Sequence, residues 1–211
     1  METKSFLIYI PPSQEISDLI EKVNIKLREN HPSNTYIPLY KGKWHCHLMV
    51  YLSPMPSENE ESIIDVVQKL TKEVSPFKVE LRDLNYADSN YLYIGVNEDA
   101  RIKLESIHNK LVEKLSPLRD QTIKEKYLQK WDSFSEEEKN RIRTTGLPYK
   151  YTPHITLGVF SGKTEQSVAY KEALPYNLKG NSFVANSIEI LTSVGSNYED
   201  KKIVVTDAFP K

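Results

Sequence analysis

YTPHITLGVF, residues 151–160, combines a histidine, a hydroxyl residue and a run of apolar side chains between turn residues. This composition predicts a short strand. Side chains along a strand point alternately to opposite faces, so His154 and Thr156 share one face while Ile155 and Leu157 share the other. The run therefore presents an imidazole and a hydroxyl together on one side of a sheet.

A second histidine-bearing run, WHCHLMVYL at residues 44–52, has the same character. Its alternation predicts one face formed by His45, His47, Met49 and Tyr51. The opposite, apolar face is then formed by Cys46, Leu48, Val50 and Leu52. On that side a free cysteine is expected to behave as a small buried hydrophobe.

The two histidine strands occupy equivalent places in a repeated order of strand, helix, histidine strand and helix. In the first half the pattern predicts these elements at residues 6–10, 13–28, 44–52 and 57–75. The same order returns at residues 91–96, 97–117, 151–160 and 164–174. Further strands are predicted at residues 77–81, 183–192 and 202–209, the last two as a closing hairpin. The chain thus repeats an arrangement with little sequence identity between the copies.

A strongly charged segment of poor periodicity, residues 121–148, interrupts the second half. Two helices are predicted within it, at residues 121–131 and 135–143, and Ser135 with Glu138 forms a capping-box pattern at the start of the second. We interpret the segment as a helical insertion into one bilobal domain that spans residues 1–211.

Composition limits the partners and the compartment. Of 211 residues, 28 are basic and 29 acidic, and this balance argues against a grip on a long nucleic-acid backbone. The single cysteine, Cys46, excludes an internal disulfide and is typical of a reducing compartment. No segment has the pattern of a signal peptide or a membrane span. We therefore expect a cytoplasmic monomer with no membrane partner.

Two lobes of this kind, facing each other across a cleft about a pseudo-twofold axis, would hold two imidazoles. The pKa of histidine lies near neutrality, so one ring can act as a base while the other acts as an acid. Around a phosphodiester, the base would activate water and the acid would protonate the leaving ribose oxygen. Neighbouring hydroxyls would donate to the phosphate oxygens, and this chemistry requires no metal or cofactor.

PHITL, residues 153–157, resembles the His-x-Thr-hydrophobic motif of the two-histidine (2H) phosphoesterases, the superfamily of 2′-5′ RNA ligase-like and cyclic phosphodiesterase proteins. The order of elements is similar over residues 6–209. The resemblance implies an α+β, pseudo-twofold fold in which two antiparallel sheets line a central cleft and helices pack outside. It also implies a metal-independent phosphodiesterase acting on 2′,3′-cyclic phosphates or on 2′-5′ linkages in nucleotides and RNA ends. His47 and His154 would then be the acid and the base, in an order the sequence leaves open, and Thr156 would bind phosphate.

The first histidine strand departs from this motif, and two registers compete. If His47 is the motif histidine, Met49 stands where the hydroxyl residue belongs; if it is His45, His47 stands there. We favour His47 because a longer apolar strand follows it, as one follows His154. His45 could then stand in for the missing phosphate-binding hydroxyl.

The remaining candidates concern base stacking and rival functions. Tyr51 and Tyr93 are candidates for stacking on a base, and His108 is expected to be structural. One rival function is a metal hydrolase with a three-histidine site of His45, His47 and His154. The other is a non-catalytic module of the same fold that binds a nucleotide or an RNA end.

Overall fold

The computed structural model describes residues 3–31, 36–38, 46–86, 90–119, 125–194 and 202–210. Within these ranges the strands are β1 Thr3–Ile10, β2 Tyr36–Pro38, β3 Leu48–Pro56, β4 Phe77–Tyr86, β5 Tyr91–Val96, β6 His154–Phe160, β7 Ser182–Ala185, β8 Ser187–Val194 and β9 Lys202–Ala208. The helices are α1 Gln14–Asn30, α2 Glu60–Thr71, α3 Glu98–Leu115, α4 Glu125–Leu128, α5 Glu136–Thr145 and α6 Lys163–Ala173. None of these helices has the length and apolar composition needed to cross a membrane.

The strands form one antiparallel sheet in the order β7-β4-β5-β6-β3-β1-β8-β9, and β2 also pairs with β6. The two histidine strands, β3 and β6, are neighbours at its centre. Over the described residues they pair at a single position, Leu48 with Ile155. The prediction of an α+β fold is confirmed, but the prediction of two sheets is not, because this one pairing joins the halves into a continuous sheet.

The repeated order of elements is present and explains the central position of the histidine strands. In the first half β1 pairs with β3, and in the second half β5 pairs with β6. Helix α1 contacts β6, while α3 contacts β3, so each helix packs beneath the histidine strand of the other half. The two histidine strands therefore meet along the pseudo-twofold axis.

Helices α1, α2, α3 and α6 cover one face of the sheet. Buried residues of α1, α2, α3 and α6 belong to one core cluster together with Phe6, Ile8 and Ile10 of β1. The alternate residues of β1, Leu7 and Tyr9, belong to a small separate cluster on the opposite face. The predicted alternation of β1 is confirmed. On this second face Leu7 and Tyr9 are buried, whereas His47 and Met49 next to them are half-buried, and we call it the open face.

Strand β3 begins and ends four residues later than predicted. It continues through Pro54 and Pro56, which pair with β1. Two prolines spaced two residues apart direct their missing N–H groups to the same edge, and β6 pairs with β3 only at Leu48, so no ladder bond is lost there. A bulge in the β1–β3 pairing lies at Val50, since Tyr9 is opposite Met49 and Ile8 is opposite Tyr51.

The predicted first and last residues of two further elements were wrong. The predicted strand at residues 183–192 is two strands separated at Asn186, because β7 pairs with β4 whereas β8 pairs with β1 and β9. In the charged segment, α4 has only four residues, and residues 120–124 lie outside the described part of the chain.

Helix α5 of the charged segment starts with the predicted capping box of Ser135 and Glu138. Its end is held by Arg119, whose side chain is buried. Arg119 donates from Nη1 to the carbonyl of Arg143 at 2.5 Å and from Nε to Oγ of Ser53 at 2.6 Å. The insertion is thereby attached to the strand that follows His47.

Candidate functional site

The register between β3 and β6 arranges four side chains on the open face of the sheet. Leu48 and Ile155 are paired and fully buried on the helix side. Antiparallel pairing runs in opposite directions along the two strands, so the residues flanking this pair also face each other. Extended by one residue in each direction, this register would place His47 beside Thr156 and Met49 beside His154 on the open side.

All four of these side chains are half-buried, which fits a face that is covered but still reachable. The two imidazoles are diagonal neighbours in this arrangement. Facing Cβ atoms in antiparallel pairs are roughly 5 Å apart and diagonal neighbours about 7–8 Å apart. A diagonal spacing of this size would accommodate a small tetrahedral anion between the two rings.

The imidazole of His154 is held in one tautomer. Its Nδ1 lies 2.6 Å from the carbonyl oxygen of Thr152. A carbonyl can only accept, so Nδ1 carries the proton, and in the neutral ring Nε2 is the atom that can take up a proton. Burial lowers the pKa of His154, while the bond to Thr152 opposes this shift. The ring is therefore suited to act as a neutral base.

Each histidine packs against a tyrosine from the adjacent strand of its own half. The Tyr93 ring lies 4.9 Å from that of His154, at 56°, and the Tyr9 ring lies 5.6 Å from that of His47, at 65°. Tyr93 pairs with Thr156 across β5 and β6, and Tyr9 pairs with Met49 across β3 and β1. The two halves thus carry matching triads of a histidine, the residue two positions after it, and a tyrosine.

The match between the two triads helps to choose between His45 and His47 as the histidine of the first motif. Through the shared tyrosine position, His47 is the counterpart of His154 and Met49 is the counterpart of Thr156. The Met49 side chain packs against the small apolar cluster that contains Tyr9. The arrangement favours His47 as the motif histidine, whereas His45 lies outside the described residues and its predicted phosphate-binding role stays a prediction.

Tyr9 is a site residue that was not anticipated from the sequence. Its hydroxyl donates to the Glu189 carboxylate on β8, and burial, followed by this bond and by the charge of Glu189, raises the pKa of Tyr9. Tyr9 is therefore a neutral donor that joins the first triad to the next strand. The repeated order of elements could have identified Tyr9 from the sequence, because aligning β1 with β5 places Tyr9 at the position of Tyr93.

Tyr51 does not lie on the open face, and the expectation that it shares a face with His47 is wrong. The bulge at Val50 reverses the alternation, so the Tyr51 side chain is 1% exposed within the helix-side core. Its ring centroid lies 6.3 Å from that of His108 on α3. In this position Tyr51 cannot stack on a base, whereas Tyr93 is half-buried beside His154 and stays a candidate.

The three-histidine metal site depends on His45, which is outside the described residues. Within the described ranges, no group of three or more His, Cys, Asp or Glu side chains is placed to hold a metal ion. The three-histidine alternative therefore stays a prediction.

A sheet built from two related halves, each placing one histidine strand at the central seam, is the architecture of the two-histidine phosphoesterases. The sequence profile of the 2′-5′ RNA ligase superfamily matches residues 11–197, and the chain belongs to that superfamily. A comparison with curated protein sequences found no match.

Several solved structures share this fold over nearly the whole chain. Escherichia coli LigT complexed with 3′-AMP is similar over 100% of both chains, with a TM-score of 0.62 and 14% identity. TT0787 of Thermus thermophilus is similar over 97% of both chains, with a TM-score of 0.65 and 12% identity. Kluyveromyces marxianus Usb1 with uridine monophosphate is similar over 98% of both chains, with a TM-score of 0.53 and 15% identity. At these identities the likeness shows the fold.

Proposed function

We propose that the chain is a metal-independent phosphodiesterase that acts on 2′,3′-cyclic phosphates or 2′-5′ linkages of nucleotides and RNA ends. The observation that carries this proposal is the Leu48–Ile155 pair, which puts the two histidine strands side by side at the centre of the sheet, with His47 and His154 each one residue away from it. On this register, two imidazoles and the Thr156 hydroxyl would lie near one another on one face of the sheet. The likeness to LigT complexed with 3′-AMP supports the choice of substrate, because a 3′-monophosphate is one product of opening a 2′,3′-cyclic phosphate.

In the proposed reaction His154 is the base and His47 is the acid. Nε2 of His154 takes a proton from water as the water oxygen bonds to phosphorus. The bond from phosphorus to the ribose oxygen breaks, and His47 gives its proton to that oxygen. Thr156 donates to a phosphate oxygen on which charge accumulates. The lowered pKa of His154, caused by burial, supports its role as the base.

The test compares hydrolysis of 2′,3′-cyclic nucleotides and of a 2′-5′-linked dinucleotide, with and without EDTA. The proteins are the wild type and the variants His47→Ala, His154→Ala and His45→Ala. His31→Gln is the histidine control, because His31 lies at the end of α1 and contacts Glu172 of α6. We expect turnover that survives EDTA, that is lost in His47→Ala and His154→Ala, and that is retained in His31→Gln. Loss on EDTA treatment would instead support the three-histidine metal site, and equal activity of His154→Ala and wild type would contradict the mechanism.

A second candidate is the non-catalytic module that binds a nucleotide or RNA end. The observation that favours it is Met49, which occupies the position equivalent to Thr156 and is packed among apolar residues. Binding of a cyclic-phosphate end by the wild type without turnover on long incubation would support this candidate. We keep cytoplasmic location and a monomeric state as predictions from the sequence.

A further inference from the structure

Over the described residues, β3 and β6 form no ladder pair other than Leu48–Ile155, and side-chain hydrogen bonds are made to the neighbouring part of β3. Residues 150–153, which lead into β6, are not part of a strand. Buried carbonyl groups need a donor, and the bulge at Val50 interrupts regular pairing on β3. The carbonyls of Met49 and Val50 are the two affected groups.

Tyr151 and His108 supply donors to these two carbonyls. The Tyr151 hydroxyl donates to the Met49 carbonyl at 2.9 Å, and His108 Nδ1 donates to the Val50 carbonyl at 2.7 Å. The two rings are stacked, with centroids 4.1 Å apart and planes 11° apart. We call this pair, His108 and Tyr151, the ring clamp.

Both members of the ring clamp are in the protonation state that donation requires. Burial, followed by the charge of Glu105, raises the pKa of Tyr151, so its hydroxyl keeps the proton. Burial lowers the pKa of His108, so the ring is neutral near pH 7, with its proton on the Nδ1 that faces the carbonyl. Two neutral stacked rings can bond two carbonyls without burying a charge.

The ring clamp acts on both histidines of the site. Met49 and Val50 directly follow the segment that carries His47, so their carbonyls fix the course of β3. Tyr151 directly precedes Thr152, whose carbonyl orients His154. His108 lies on helix α3, so the ring clamp links the segment of β3 and the segment before β6 to the same helix.

We propose that His108 and Tyr151 are positioning residues that set the placement of His47 relative to His154. The inference rests on the proposed function for its catalytic consequence but not for its geometry. A misplacement of about 1 Å can cost on the order of 100-fold in rate. Tyr151→Phe removes only the hydroxyl and keeps the stacked ring, so we expect a fall in kcat of about 10-fold or more with KM nearly unchanged.

The experiment has a kinetic and a spectroscopic arm. The kinetic arm measures kcat and KM for a 2′,3′-cyclic nucleotide in Tyr151→Phe, with Tyr170→Phe, another partly buried tyrosine packed on the core, as the matched control. His108→Asn and His108→Leu are compared as well, because the Asn amide can replace the Nδ1 donor and Leu cannot. The spectroscopic arm records imidazole resonances of His47 and His154 in protein labelled with ¹⁵N-histidine.

The arms separate the inference from the proposed function. Lower kcat and shifted His47 and His154 resonances in Tyr151→Phe, with partial rescue in His108→Asn relative to His108→Leu, would support the ring clamp. Shifted resonances in a protein whose wild type shows no turnover would support the ring clamp and overturn the proposed function. Wild-type kcat and unshifted resonances in Tyr151→Phe would overturn the ring clamp, even if its thermal unfolding midpoint fell.

Discussion

Replacing Met49 with threonine should restore a hydroxyl at the position equivalent to Thr156. Met49 directly follows Leu48, which pairs with Ile155, and is half-buried beside the small cluster of Leu7, Tyr9 and Leu191. A donor that stabilises developing charge in a transition state contributes on the order of 100-fold or more to kcat. The surrounding residues are packed around the thioether of Met49 and do not orient a hydroxyl at this position. We therefore expect only part of this factor, a gain of about 10- to 100-fold in kcat for 2′,3′-cyclic nucleotides.

The same substitution removes apolar contact, and that effect has a different readout. Threonine lacks roughly two of the apolar groups of methionine, and because Met49 is half-buried this loss is worth about 0.8 kcal/mol of unfolding free energy. For a protein of 211 residues this lowers the thermal unfolding midpoint by roughly 2–4 °C. The variant should therefore be slightly less stable and more active.

Met49→Val is the control for this experiment, because valine has the shape of threonine without the hydroxyl. The ratio of kcat between Met49→Thr and Met49→Val isolates the effect of the hydroxyl, while both variants share the lost contact. Kinetics at saturating substrate and thermal unfolding of all three proteins complete the measurement. Equal kcat in the threonine and valine variants would refute the assignment of Met49 to a phosphate-binding position.

Two further predictions concern stability. Burial lowers the pKa of His108, so the unfolded chain takes up a proton near pH 6.5 that the folded protein resists, and the unfolding midpoint should fall as pH drops from 7.5 to 5. His108→Asn should make this dependence weaker but not remove it, because burial lowers the pKa of His154 as well. Leu104→Ala, at a fully buried position of α3, should lower the free energy of unfolding in urea by about 2–5 kcal/mol. Ile102→Ala, at a 54% exposed position of the same helix, should lower it by less than about 0.5 kcal/mol. A pH-independent midpoint, or equal losses in the two α3 variants, would contradict the burial on which these expectations depend.

Local periodicity predicted the elements well where one strand or helix face is buried against a single partner. The alternation of β1 and the capping box of α5 depend on residues close in sequence, and both were predictable. The course of β3 was not, because the bulge at Val50 and the tolerance of Pro54 depend on how far β1 and β6 extend alongside it. Tyr51 was misplaced for that reason.

In the candidate site, too, the features that depend on one strand were predictable and those that depend on pairing between strands were not. His154 and Thr156 could be proposed from one short motif, since both lie on the same face of one strand. The contact of Tyr9 with His47 arises from the pairing of β1 with β3, which the sequence of neither strand specifies alone. The ring clamp likewise joins three segments that are distant in the chain, so His108 and Tyr151 gave no local signal.

The near-twofold arrangement of the two triads also bears on the orientation in which a phosphodiester would bind between them. Two identical triads would offer the same surroundings to either ester oxygen, so the ester could enter in two orientations of equal free energy. The chain breaks this degeneracy, because a hydroxyl is present at Thr156 and a thioether at Met49. On the proposed mechanism, this difference, together with the bond that holds His154 as the base, determines the regiochemistry, that is, which of the two isomeric monophosphates is released.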